Sequence, residues 1–206
     1  MKDNLHTLLY AVVMGLICAT ALTGVDRFTA ERKQANAKAE KIRNILGVLG
    51  VRFDSDASSE ELVKIFAENV HVESRGELTT YTYQLSGGNS NVQAVPFAGP
   101  GLWGPIKGFL ALDVDKETIV GISFYEQEET PGLGGEISSQ WFRRQFEGRT
   151  IRDIAGKPGI RIRRDGATAP NEVDAITGAT MTCEKVEAML NVVIRRIVQE
   201  RDKHGR

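Results

Sequence analysis

Hydrophobic positions follow three different rhythms along this chain. From Leu5 to Val25 there is no Asp, Glu, Lys or Arg, and Leu8–Ala19 is unbroken by any strongly polar residue. A helix of about 21 residues rises ~30 Å, the thickness of a bilayer's hydrocarbon core. The pattern predicts a transmembrane helix over 5–25, behind a short tail at 1–4, ended by Asp26 and Arg27. A cleaved signal peptide would use the small residues Ala19-Thr20-Ala21, and a buried soluble helix would carry a polar face. The length and uniform apolarity of the run favour a retained anchor. Over Thr29–Leu49 the chain turns to Ala, Glu, Lys and Arg, all good helix formers. Its apolar stripe begins only at Ile42, Ile45, Leu46 and Leu49, spaced i, i+3, i+4, i+7. A solvated stalk helix over 26–50 is expected, followed by one soluble domain at 51–206.

Within that domain the rhythm alternates between periods. Ser58-Ser59-Glu60-Glu61 reads as a capping box opening a short helix through Val70, with Leu62, Ile65 and Phe66 inward. Over Thr80–Leu85, Tyr81, Tyr83 and Leu85 alternate with polar neighbours, the mark of a half-buried strand. Phe109–Val114 and Thr118–Tyr125 flank Asp115-Lys116-Glu117 as a hairpin. A helix is expected at Glu136–Phe146 and a short strand at Gly159–Arg163. The final helix, about Thr182–Arg201, carries its stripe on Val186, Met189, Leu190, Val193, Ile197 and Val198. With no internal repeat, the fold class is α/β (α+β mixed): one amino-terminal transmembrane helix and one domain with a mixed sheet and flanking helices.

Composition narrows the chemistry. Among 206 residues, 26 Lys+Arg against 27 Asp+Glu leave a net charge of −1, so nothing points to nucleic acid. A 41% hydrophobic content is enough for a core. Cys18 and Cys183 cannot form a disulfide scaffold, and His6, His71 and His204 lie too far apart in sequence to suggest a zinc site. The span's charge flanks are asymmetric. Lys2 alone precedes it, whereas Arg27, Arg32, Lys33, Lys38, Lys41 and Arg43 follow, a bias that by itself directs the carboxy-terminal bulk to the cytoplasm.

Three glycine-bearing segments stand apart from routine connections: Gly99–Pro105 (GPGLWGP), Glu129–Gly135 (ETPGLGG) and Asp174–Thr180 (DAITGAT). The last runs directly into the final helix. A helix's first turn presents unpaired N–H groups and the positive end of its dipole, which stabilises a phosphate. Gly178 permits close backbone approach, and Thr177, Thr180 and Thr182 supply hydroxyls. The competing reading is a glycine turn followed by a helix capped by Thr182.

Asp174-x-x-Thr177-Gly178-Ala179-Thr180 resembles the Asp-x-x-(Ser/Thr)-Gly-Ala-Thr signature of the FMN-binding domain family whose flavin is covalently held. The resemblance implies that the FMN phosphate is esterified to Thr180 by a separate flavin transferase. Glu129, Thr130, Pro131, Gly132, Leu133 and Gly134 are similar to that family's flavin-contacting loop. Gly101-Leu102-Trp103 followed by Gly108–Asp113 resembles the C subunits of the sodium-translocating NADH:quinone reductase (Nqr). Gly104–Lys107 has a flavour of the related Rnf-complex G subunits, so both branches stay open. The resemblance covers the anchor and roughly Val95–Arg195; Thr29–Gly88 carries no matching motif. Cys183 departs from the small hydroxyl residue common at its position.

The implied function is that of a membrane-anchored electron carrier, with FMN covalently attached, inside an ion-pumping oxidoreductase. Nqr would couple NADH oxidation to quinone reduction and sodium export; Rnf would couple ferredoxin and NAD. The chain would be a redox subunit without a substrate site of its own. Implied partners are the other subunits, which bind NADH and quinone, the transferase and the membrane. The resemblance places the FMN domain on the periplasmic, outer face of the bacterial inner membrane, against the charge bias. At the site, Leu133, Pro131 and Trp103 offer apolar cover. Trp103 is either a core plug or a ring-stacking partner. Lys107 either contacts phosphate or reaches solvent. Glu129 either bonds ribityl hydroxyls or holds its own turn. The dinucleotide fingerprint is broken, since Ile137 stands where a third glycine belongs; no metal and no proton-transfer catalyst is expected. A non-redox anchored module binding a phosphorylated ligand or a protein partner is the alternative from another class.

Overall fold

The computed structural model describes residues 2–75, 78–84, 91–113 and 117–204. The chain divides into two units, Met1–Ala39 and Glu40–Arg206. One helix, α1 (Lys2–Leu49), runs through the boundary. In the first unit Leu8, Leu9, Leu16, Ile17 and Leu22 are all more than half exposed, on a helix long and apolar enough to cross a membrane. The hydroxyls of Thr20 and Thr23 donate back to the carbonyls of Leu16 and Ala19, so neither is left unpaired in an apolar setting.

The second unit is built on a five-stranded sheet. After α2 (Ser59–Asn69) come β1 (His71–Arg75), β2 (Leu78–Gln84), β3 (Asn91–Pro100), β4 (Pro105–Asp113) and β5 (Thr118–Glu126), ordered β1-β2-β3-β4-β5 and antiparallel throughout. A 3-10 helix (Gly134–Ser138), α3 (Gln140–Arg144), the strands β6 (Arg161–Arg163) and β7 (Glu172–Asp174), and α4 (Thr180–His204) complete it. The expected mixed sheet resolves into two: β6 and β7 pair in parallel, apart from the main sheet.

Register and alternation decide what each face buries. Val95, Phe97, Leu110, Ile122 and Phe124 join Phe142, Phe146 and the apolar stripe of α4 in one core. Val186, Met189, Leu190, Val193, Ile197 and Val198 are all buried, as their spacing requires. On the opposite face Phe109 packs with Tyr81 and Tyr125, and Phe66 of α2 adds to the stack. The late stripe Ile42, Ile45, Leu46 and Leu49 is buried in the same unit.

Several expectations shift. Ser58 caps α2 by accepting from Glu61 N–H at 3.3 Å, as the capping box predicts. In β2, Tyr81 is buried but so is Thr80, whose hydroxyl donates to the Glu73 carbonyl; Leu85 lies outside the described residues. The β4–β5 hairpin forms, with Val114, Asp115 and Lys116 of its turn also outside them. The helix expected at 136–146 is broken at Ser139, whose extended backbone (ψ 148) and Oγ, accepting from Phe142 N–H, start a new helix. Strand β3 went unpredicted because Pro96 interrupts it and neither face alternates cleanly.

Candidate functional site

The three glycine segments meet, and one buried carboxylate joins them. Glu129 is 5% exposed. Its Oε1 accepts from the backbone N–H of Leu102 (2.6 Å) and of Trp103 (3.2 Å), and its Oε2 accepts from the Thr182 hydroxyl (2.5 Å). Two glycines give the carboxylate its room. A Cβ at Gly101 would come within 2.5 Å of Oε1, and one at Gly134 within 2.6 Å of Thr182 Oγ1 and 2.7 Å of Oε2. Glu129 therefore does more than hold its own turn. Both its oxygens are engaged by the chain, Oε1 with the first glycine segment and Oε2 with the final helix.

The second segment folds by turn chemistry. Pro131 and Gly132 occupy the middle of a turn closed by Leu133 N–H to Thr130 C=O (3.1 Å), with Gly132 at φ +75, the glycine position of a type II turn. Gly135 N–H donates to the same carbonyl. The turn leaves Thr130, Pro131 and Leu133 at the surface, and Leu133 Cδ2 stands 2.9 Å from where a Cβ of Gly178 would lie. Gly178, at φ +78, thus meets both a backbone and a space requirement.

In the third segment α4 begins at Thr180, two residues earlier than its stripe predicts. The first intrahelical bond runs from Cys183 N–H to Ala179 C=O, so the N–H groups of Thr180, Met181 and Thr182 precede the ladder. Thr182 is not the cap: it sits inside the first turn and its hydroxyl is committed to Glu129. Ala179 is buried, Thr177 and Gly178 are exposed and Thr180 is half-buried. The Cys183 thiol accepts from Ile176 N–H (3.4 Å), a contact that secures the turn before the helix. Burial pushes that thiol's pKa up. Asp174 closes β7: its carboxylate accepts from Ala167 N–H (2.6 Å) and its own N–H donates to Gln145.

Lys107 and Trp103 take definite positions. Lys107 is half-buried. It pairs with Glu126 at 2.7 Å, which raises its pKa, and β4 alternation turns it to the face carrying Phe109, away from the one α4 packs on. Trp103 is no core plug, since it is 70% exposed although its N–H is pinned by Glu129. Sequence reasoning missed Met181, which is 56% exposed at the helix start, and missed Leu102 as a surface group. An apolar residue immediately after a Gly-Ala-Thr turn was the available signal. Leu102, Trp103, Leu133 and Met181 are thus exposed apolar groups on the segments that surround the half-buried Thr180 hydroxyl. A shallow concavity of about 510 Å³ is lined by residues 98–105.

This set fits a group with a phosphate tail and an apolar ring: N–H donors at a helix start, a hydroxyl beside them and apolar cover around them. Comparison with known proteins agrees. Residues 101–195 match the FMN-binding domain family. The chain is 29% identical to the C subunit of the Na(+)-translocating NADH-quinone reductase of Yersinia pestis, over 90% of this chain and 86% of that protein. It is 43% identical to the Vibrio campbellii C subunit across 95 residues, 45% of this chain and 36% of that one. A crystal structure of the C subunit from Parabacteroides distasonis superposes with a TM-score of 0.65 at 27% identity, covering 78% of this chain and 90% of the other. Shewanella oneidensis NqrC shares the fold, with a TM-score of 0.65 at 23% identity over 76% of this chain and 91% of that one. With matched segment, fold and site chemistry in accord, residues 101–195 match the FMN-binding domain family, and the chain is similar over most of its length to the C subunit of the Na(+)-translocating NADH-quinone reductase.

Proposed function

We propose that this chain is a membrane-anchored electron-transfer subunit of a sodium-translocating NADH:quinone reductase, carrying FMN as a phosphoester on Thr180. The observation that carries the reading is the position of Thr180 as the first residue of α4, at the junction that Glu129 draws together. FMN bound there supplies reversible electron uptake and release. The chain's own residues do the rest. Thr180 offers the ester oxygen, and the N–H groups of the first turn, with the helix dipole, favour phosphate charge. Leu102, Trp103, Leu133 and Met181 limit water over the ring, and Glu129 keeps their three segments in one arrangement. Thr177, Gly178, Thr130, Pro131 and Gly132 shape the rim; Asp174 and Ala179 set the backbone beneath it. A covalent tether makes cofactor retention independent of its free concentration, which suits a domain held outside the cytoplasm.

The relatives' names favour this complex over the Rnf alternative. Helix α1 supports attachment to the membrane. In this reading the FMN domain lies on the periplasmic face, against the charge bias, and other subunits bind NADH and quinone. A flavin transferase is the maturation partner. The test is direct. After coexpression with that transferase, the denatured chain should fluoresce as a flavin on a gel, and the peptide holding Thr180 should gain the mass of one FMN. Thr180→Ala should abolish both. A colourless chain would favour the non-redox module. An active cytoplasmic reporter fused after Lys203 would reverse the topology.

A further inference from the structure

Strand β7 is three residues long and, among the described residues, pairs only with β6. Peptide groups alternate sides along a strand. Ala175 N–H donates to Arg163 C=O on the β6 side (2.7 Å), so the N–H and C=O of Asp174 turn to the edge that no strand occupies. A side chain takes the strand's place there. Gln145 Oε1 accepts from Asp174 N–H at 2.8 Å, and its Nε2 donates to Asp174 C=O at 3.4 Å. A carboxamide suits this task, because it carries the donor and the acceptor of a peptide group on one plane. Gln145 is itself fixed. Phe142 and Phe146 of the same stretch are fully buried, and the Gln145 C=O accepts from Arg149 Nε–H at 3.2 Å.

Asp174 opens the segment that ends at Thr180. Beyond it the chain turns back, closed by Ala179 N–H to Ile176 C=O (3.1 Å), with Gly178 at φ +78. A second side chain holds the far end: Cys183, in α4, accepts from Ile176 N–H through Sγ at 3.4 Å, a buried contact. Gln145 thus grips the turn where it leaves β7, and Cys183 grips it where it meets the helix. Thr177 and Gly178 between them are exposed and Thr180 is half-buried. Without those two holds, backbone groups at both ends of a surface turn lose their partners, and the turn opens to other conformations. We propose that Gln145 and Cys183 are positioning residues for attachment at Thr180: by holding Asp174 and Ile176 they keep the turn in the conformation in which the Thr180 hydroxyl meets an incoming phosphorus, an inference that rests on the flavin reading above. In the transfer they serve, the Thr180 Oγ–P bond forms and the P–O–P bond of a flavin dinucleotide breaks. The nucleoside monophosphate leaves, and the hydroxyl proton passes to water.

The experiment is a time course of transfer to the purified, flavin-free full chain in detergent micelles. The transferase acts with flavin adenine dinucleotide as donor, and the mass of the Thr180 peptide reads the product. The fraction of chain in the competent turn multiplies kcat/KM for the chain as substrate. Gln145→Leu, similar in size but without polar groups, should lower kcat/KM about fivefold or more, the worth of one net hydrogen bond. Cys183→Ala should lower it about threefold or more, since sulfur is the weaker acceptor. Cys183→Ser should recover the parent's rate, with oxygen accepting from Ile176 N–H in sulfur's place. Ile151→Val trims a buried core residue whose backbone bonds go to Glu117 and Gly159. It should lower the thermal midpoint yet leave transfer at the parent's rate, whereas a loss of overall stability as the cause would slow this variant as well. The proposal is overturned if Gln145→Leu is modified as fast as the parent, if Cys183→Ser is as slow as Cys183→Ala, or if Ile151→Val is slowed as much as Gln145→Leu. A parent chain that takes no flavin overturns the flavin reading and this one with it; a modified parent beside an equally fast Gln145→Leu overturns this one alone. Should Gln145→Leu not fold, the two Cys183 variants decide.

Discussion

Replacing Glu129 separates the two things its carboxylate does, accepting hydrogen bonds and carrying charge. Glu129→Ala leaves three donors, Leu102 N–H, Trp103 N–H and Thr182 O–H, without their acceptor in a buried setting. Hydrogen bonds to a charged group contribute ~1.5–3 kcal/mol each, and bonds sharing one acceptor are not additive, so a loss of about 3–5 kcal/mol is expected. Glu129→Gln keeps one carbonyl oxygen for the two N–H groups. Its amide NH₂ faces Thr182, whose hydroxyl can rotate from donor to acceptor. Only the charge assistance goes, for about 1–2 kcal/mol. Urea unfolding of the full chain in detergent, followed by tryptophan fluorescence, gives both numbers. The mass of the Thr180 peptide after coexpression with the transferase gives a second readout. The Gln variant should be flavinylated, whereas the Ala variant should be poorly flavinylated even at temperatures where it is folded. A Glu129→Ala chain within about 1 kcal/mol of the parent, or a Gln variant less stable than the Ala variant, would refute the clamp.

Gly178→Ala should cost about 1–2 kcal/mol, since it forces a side chain to φ +78 and against Leu133, and urea unfolding reads it. Glu172 accepts from the N–H groups of Thr168 and Ala169 and from the Thr168 hydroxyl, which lowers its pKa; its stabilisation is complete above the ordinary carboxylate pKa and lost as pH falls through the depressed one. Thermal midpoints measured downward from neutrality should fall less steeply in Glu172→Gln than in the parent. Cys183 is 2% exposed with a raised pKa, so a maleimide should leave it unmodified in the native chain and react with it only after denaturation. Phe142→Ala empties a fully buried site between Phe124 and Phe146 and should cost about 3–5 kcal/mol by the same unfolding assay.

What the sequence alone determined was whatever depends on near neighbours along the chain. An uncharged run sets a helix of spanning length, the late stripe at Ile42–Leu49 sets where α1 begins to be buried, and the capping box sets the start of α2. The stripe of α4 and the Thr-Gly-Ala-Thr turn before it mark the helix start that the site uses. These follow from periods and caps, which act over a few residues. Strands β1, β3 and β7 were not legible, because a strand's worth is set by what pairs beside it and covers its faces. The same limit held at the site. Nothing in ETPGLGG says which way its glutamate points; 27 residues separate it from Leu102 and 53 from Thr182, and only the folded chain brings the three together. Lys107 and Trp103 were decided likewise, one by the sheet face that β4 alternation assigns it and the other by a loop fold that leaves its ring exposed. A side chain's direction is a property of packing, and packing is a property of the whole.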